Sequence, residues 1–430
     1  MLEFCAAGLA AQNFAVAPEL RRHVEALCAD ELDGRKAGTE GERMAAAYVH
    51  RALADAGLVM LTDAAGQDFT IAEGEEGIAS RNIVGIVEGS DPALREEYIV
   101  VGAHFDHLGT HTLTIDGEPV VQVFPGADAN ASGVAMMLEL ARMVSDYKGL
   151  FRRSVLFVGF GAGEQGLAGA WYFANRAFEQ MGNVRAMVDL DMLGRSGDTA
   201  PFSCFTQMES RAGERLFEQV REESVVTWPQ PLRQTIPSSD YLPFYEQKIP
   251  VFLFTSGVSR EARTIRDVPR LLDYGAMEAR CHYLYHFLLT LANQDEISRI
   301  GEDVREKVRR NIEKVYAASE CDVRPQFFHS DEKHFLESWV YKYLKYPREA
   351  IERNIKGQVL VSFIVERDGT VTDVCVERGV DELLDDEAVR VVSVSPKWIP
   401  GQIKGEKVRT RIVIPVEFRL SSKYDIGIKK

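Results

Sequence analysis

Much is missing from this sequence, and each absence excludes something. No run of about 18 apolar residues occurs, so no membrane-spanning helix is expected. Basic residues are outnumbered, 50 Lys and Arg against 65 Asp and Glu, and the net charge of −15 argues against nucleic acid as a partner. Cysteine is sparse: Cys5, Cys28, Cys204, Cys281, Cys321 and Cys375, none at C-x-x-C spacing. That excludes a cysteine zinc site and a disulfide scaffold, leaves a single bridge open, and does not decide the compartment. There is no internal repeat and no low-complexity segment. The remainder is an ordinary globular composition, with 46% hydrophobic residues and 430 residues in all, enough for a sizeable core and two or three domains.

The start, MLEFCAAGLAAQ, reads as the back half of a secretory signal without a basic leading region, or as a short first helix. Residues 1–19 are therefore expected to be a signal-like remnant. Apolar strand-like runs follow at RNIVGIVEG (81–89), YIVVGAHFD (98–106), RSVLFVGF (153–160), AMVDLDMLG (186–194) and IPVFLFTSG (249–257). Helical patterns separate several of them, at 132–147 and 168–181 among others. Strands alternating with helices predict an α/β domain over 20–294, with a mostly parallel central sheet covered by helices on both faces. A charged helical connector is expected at 295–320. A small α+β domain is expected at 321–422, with a hairpin around Asp368-Gly369, and a tail at 423–430.

Four pieces at or just after strand ends carry the chemistry. GAHFDHLG places His104 and Asp106 two residues apart on one face of an extended segment, where Asp106 could orient the imidazole. PGADANASG places Asp128 before a helix start, a position Asp also favours as a cap. FVGFGAGEQGLAGA ends an apolar strand in a glycine-rich turn with one acid, Glu164. DLDMLG puts Asp189 and Asp191 on one face of an apolar strand, where a buried carboxylate is costly unless it is paired or bound to metal. Each alone has an ordinary structural reading. Together they are a His and three acids at the carboxyl ends of parallel strands, the crevice where such folds bind ligands. That donor set suits zinc.

DGRKAGTEGERMAAAYV, GAHFDHLG, PGADANASG, GEQGLAGA, DLDMLGR and SDYLPFYEQKIPVFLFTSG, in that order and spacing, resemble the co-catalytic zinc aminopeptidases of the bacterial leucyl aminopeptidase and aminopeptidase Y type. The resemblance implies a first zinc on His104, Asp128 and Asp191, Asp106 as its orienting partner, and Glu164 as a ligand of a second zinc. It also exposes departures. The acid that usually follows the bridging Asp is Ala129, the general base position is Gly163, and the late histidine position is Arg263 in RTIRDVP. Glycine cannot move a proton, and arginine cannot be a neutral ligand. The expectation is thus a degraded catalytic site with zero or one zinc, in which Arg263 stands as a fixed charge against Glu164. The alternative is an active peptidase using one zinc at His104, Asp128 and Asp191.

The tail, in FLESWVYKYLKYP, IKGQVLVSFIVERDGTVTDVCVERG and IVIPVEFRL, resembles the carboxyl-terminal domain of TonB. That resemblance implies a periplasmic or exported protein, and partner peptides or envelope proteins taken up in the cleft or by strand addition at the sheet edge.

Overall fold

In the computed structural model the described residues are 15–63, 66–71, 77–115, 118–208, 216–220, 226–232, 236–300 and 315–420. Most of the signal-like remnant, the central part of the expected connector and nearly all of the tail lie outside them. The chain forms two compact units. The first comprises residues 1–109, 125–262 and 267–308, and the second 110–124, 263–266 and 309–430. Two short stretches of the expected α/β region thus belong to the second unit.

The first unit is an α/β fold built on a nine-stranded sheet. Its central strands, Ser154–Phe160, Tyr98–His104, Val184–Leu190 and Val251–Thr255, run parallel and in that spatial order. Ser154–Phe160 and Tyr98–His104 are buried along their whole length, which is why they read as unbroken apolar runs. Ile78–Val87 and Ser203–Thr206 flank them antiparallel. Helices Ala17–Leu27, Glu40–Asp55, Gly133–Asp146 and Tyr274–Ala292 cover the sheet. Caps fix two of their starts: Thr39 Oγ1 accepts from Glu42 N, and Asp273 accepts from Ala276 N.

Two details depart from the sequence reading. The strand expected over 186–194 ends at Leu190, so Asp191 sits in the following loop rather than on the strand face with Asp189. The helix expected over 168–181 is α-helical only over Ala168–Tyr172; wider and tighter turns follow over Phe173–Ala177 and Glu179–Asn183.

The second unit has a four-stranded sheet in the order Val315–Ala317, Arg409–Phe418, Gly357–Val365, Val371–Arg378. The hairpin joining the last two turns at Gly369, whose φ of 86° suits a residue without Cβ. Helix Glu382–Ser393 is capped by Asp381, and Phe327, Phe335, Phe363 and Trp398 pack the core. The hairpin Thr110–Ile115 with Glu118–Val123 contributes Leu113 to that core.

Candidate active site

Register brings the site together. His104 lies opposite Phe160 on the neighbouring parallel strand, so the loops leaving both strands start side by side. The Asp106 carboxylate then accepts the backbone N–H of Gly163 (2.6 Å) and of Glu164 (3.1 Å), which ties the GAHFDHLG loop to the GAGEQG turn. Asp106 Oδ1 also lies 3.5 Å from His104 Nδ1. Arg35, buried in the first turn segment, donates to the carbonyls of Phe105 (2.8 Å), Pro125 (2.7 Å) and Gly126 (3.1 Å), and to that of Leu27. One guanidinium thereby positions the segments carrying His104 and Asp128.

The loop around Asp128 is held from two sides. Asp267 accepts from Asp128 N (2.9 Å) and Ala129 N (3.0 Å). Asn130, Ser132 and Asp128 in turn bond the backbone of 190–194: Asn130 Oδ1 accepts Met192 N (3.0 Å), Ser132 Oγ accepts Leu193 N (2.9 Å) and Asp128 Oδ1 accepts Gly194 N (2.8 Å). Left-handed backbone at Ala162, Met192 and Gly126 shapes the three loops at this end of the sheet.

His104 Nε2 and Asp191 Oδ1 stand 4.0 Å apart, and Asp191 Oδ2 accepts Ser239 Oγ at 2.9 Å. Burial disfavours the imidazolium of His104, but Asp106, Asp240 and Asp191 outweigh it and hold its pKa at about 10. Burial, reinforced by Asp267, raises Asp128 to about 7. Burial likewise brings Asp240 to about 7, partly countered by His104 and reinforced by Asp191, and neither of its carboxylate oxygens has a hydrogen-bond partner. Asp189 is pushed up as well by burial and by Asp240, while its Oδ2 accepts Tyr241 N at 2.9 Å.

Gly163 is enclosed rather than merely small. A Cβ built there would lie 2.6 Å from both Cβ and Cγ of His104. Ala129, in place of the second acid, joins Met192 and Ala262 in a small buried apolar cluster. Glu164 Oε1 lies 3.4 Å from Nδ1 of the fully buried His107. Arg263 belongs to the second unit, where its Nη1 donates to Glu377 Oε2 at 2.7 Å.

The donor set fits zinc in kind: a buried imidazole paired with a carboxylate, and a buried Asp128 whose Oδ2 has no hydrogen-bond partner. His104, Asp128 and Asp191 do not close to ion-binding spacing together. Among the described residues the one trio of potential ligands whose atoms all lie within 4.8 Å of one another is Glu19, His23 and Glu139. Five further residues of the site were not singled out in the sequence: Arg35, Glu42, His107, Asp240 and Asp267. The signal was present, because each falls inside a motif quoted for other residues.

The mixed α/β sheet thus gathers a His and several acids at the carboxyl ends of its parallel strands. The sequence profile of Peptidase family M28 matches residues 82–336, more than half of the chain, and the protein belongs to that family. The profile of the Gram-negative bacterial TonB protein C-terminal region matches residues 342–420. A probable zinc metalloprotease of Pyrenophora tritici-repentis is 36% identical over 114 residues, 26% of this chain and 24% of that protein. Aminopeptidase YwaD of Bacillus subtilis is 27% identical over 172 residues, 40% of this chain and 34% of YwaD. The chain thus aligns with about a quarter to a third of these relatives' length. Among solved structures, an aminopeptidase from Aneurinibacillus sp. strain AM-1 superposes with a TM-score of 0.52 at 16% identity, over 66% of this chain and 96% of that one. LapB from Legionella pneumophila gives 0.52 at 17% identity, over 67% and 75%. Both share the fold.

Proposed function

We propose that this protein is an exported or periplasmic zinc-aminopeptidase homologue with strongly impaired hydrolysis, and that its cleft binds peptides or envelope proteins. His104, Asp191 and Asp128 would hold a zinc ion, with Asp106 orienting His104. When bound, such an ion polarises a carbonyl and lowers the pKa of a bound water. The chain's own residues supply the positioning: Asp106 holds the GAGEQG turn, and Asp267 holds the Asp128 loop. What this family needs and this chain lacks is the group that moves the proton. The observation carrying the proposal is Gly163, where His104 fills the space a base would leave by. Arg263, at the late-histidine position of the sequence, is permanently charged and cannot serve as a neutral imidazole ligand to a second ion. The TonB-like sheet supports an envelope setting and a second, strand-adding peptide site at its edge.

A chromogenic aminoacyl-anilide assay on the zinc-loaded full chain tests this reading. A missing general base is worth about 10²–10⁴-fold, and turnover is expected to fall short of an intact family member by at least that factor. Fluorescence anisotropy with labelled short peptides should still register binding. Turnover on a par with an intact aminopeptidase would refute the proposal and favour the active single-zinc alternative, to which the facing His104 and Asp191 would then belong.

A further inference from the structure

We infer that a cavity in the first unit, lined by Arg280 and Trp228, binds a carboxylate with an apolar or aromatic body. The carboxylate would lie on the Nε–Nη2 edge of the Arg280 guanidinium and the body against Trp228.

The cavity measures about 440 Å³, and Ser196, Asp198, Phe202 and Gln230 line it together with those two residues. The sheet fixes its walls. Gln230 N donates to Phe202 O and Leu232 N to Cys204 O, both at 2.8 Å, so the segment carrying Trp228 is tied to the strand Ser203–Thr206. Phe202 stacks on Phe254 and meets Tyr283 edge-on. Trp228 is nevertheless 46% exposed, an apolar surface without a full covering.

Arg280, on the helix Tyr274–Ala292, is 4% exposed. Its Nη1 donates to the carbonyls of Leu193 (2.8 Å) and Arg195 (2.5 Å), which accounts for one side of the guanidinium. Among the described residues Nε and Nη2 have no hydrogen-bond partner and no carboxylate stands at ion-pair distance, yet neither atom is sealed from solvent. The other three buried arginines leave no such edge. Arg35 spends Nε, Nη1 and Nη2 on carbonyls, and Arg153 spends them on Glu97 and on the carbonyls of Ala292 and Asp295. Arg409 places Nε and Nη2 on the two oxygens of Glu366, at 2.9 and 2.8 Å, the fork that Arg280 lacks.

A buried cation without an anion is costly. Burial pushes the Arg280 pKa down, and Asp128 and Asp273 oppose this only from beyond ion-pair distance. Asp273 is already taken, accepting Ser196 Oγ at 2.6 Å and Ala276 N at 3.0 Å, and Asp128 is held by Gly194 N. With Asp198 in the lining and one cation to oppose it, the cavity suits a monoanion better than a phosphate dianion.

The test is titration calorimetry of the full chain with phenylacetate, and with phenylacetamide as its uncharged isostere. Phenylacetate is expected to bind at a single site, and the amide about 10–100-fold more weakly, the range for hydrogen bonds to a charged group. Arg280→Lys and Trp228→Ala should each weaken phenylacetate about tenfold or more. No saturable binding, or equal affinity for the two probes, overturns the inference. Should Arg280→Lys not fold, ¹⁵N NMR of the wild type decides the matter. The Trp228 indole signal, recognised among the chain's four by its loss in Trp228→Phe, should move with phenylacetate and stay in place with phenylacetamide. An unmoved signal puts the probe elsewhere and overturns the inference. The peptide Ala-Ala-Phe, read at the same signal, separates the sources. Tighter binding than phenylacetate supports a peptide carboxyl terminus as the ligand, and weaker binding supports a free acid. None of these readouts depends on turnover, so they stand apart from the impaired-hydrolysis proposal.

Discussion

At the scale of single residues, the glycine in GAGEQG is the informative one. Overpacking of a close-packed site usually costs about 1–3 kcal/mol. Gly163→Ala should therefore lower the unfolding free energy by about that much, read by chemical denaturation, because its Cβ meets His104 Cβ at 2.6 Å. A neutral result would mean that the His104 ring yields freely. It follows that Gly163→Glu alone should not rebuild a peptidase. Glu42 gives a pH prediction. It is buried, with Oε1 accepting Ser80 Oγ (2.5 Å) and Oε2 accepting Gly38 N (2.7 Å), and burial raises its pKa from 4.5 to about 7. The folded state then binds this proton more tightly than the unfolded chain. Its contribution is fully present below pH 4.5 and is lost as pH rises through about 7. The amount is at most about 3 kcal/mol. Glu42→Gln should flatten the decline of the thermal midpoint across that window, and an unchanged slope would rule Glu42 out as its source.

At the scale of elements, the hairpin Thr110–Ile115 and Glu118–Val123 is where sequence reading stopped short. Leu113 is 3% exposed in the core of the second unit. Leu113→Ala should cost about 2–5 kcal/mol there. Differential scanning calorimetry should show the transition of the second unit falling while that of the first keeps its midpoint. The central strands were legible because burial on both faces leaves them almost wholly apolar, as in Ser154–Phe160. The hairpin was not, because its residues do not say which core receives Leu113. The same contrast holds within the site. His104, Asp106, Asp128 and Glu164 announced themselves through local motifs. Asp267 acts on Asp128 from 139 residues away, and Glu164 meets His107 across a turn, so neither relation has a local pattern. Asp191 was placed on a strand because the apolar run continues past it, whereas pairing ends at Leu190.

At the scale of the whole molecule, metal should act on one unit. A ligand that binds only the folded form stabilises it by about 2.7 kcal/mol at a hundredfold excess over its dissociation constant. Chelation of the zinc-loaded protein should therefore lower the melting of the first unit and leave that of the second in place. If both moved together, the two units would be a single cooperative body. The make-up of the second unit carries one more consequence. Its parts are written in three separate stretches of the chain, 110–124, 263–266 and 309–430, two of which adjoin peptidase motifs. A recombination event that moved only the last stretch to another gene would leave behind Leu113 and the partner of Glu377. The stretch matched to TonB alone, 342–420, is thus not the whole of the second unit. Within this chain the 110–124 hairpin and the 309–430 stretch therefore serve one core and should tolerate change only together.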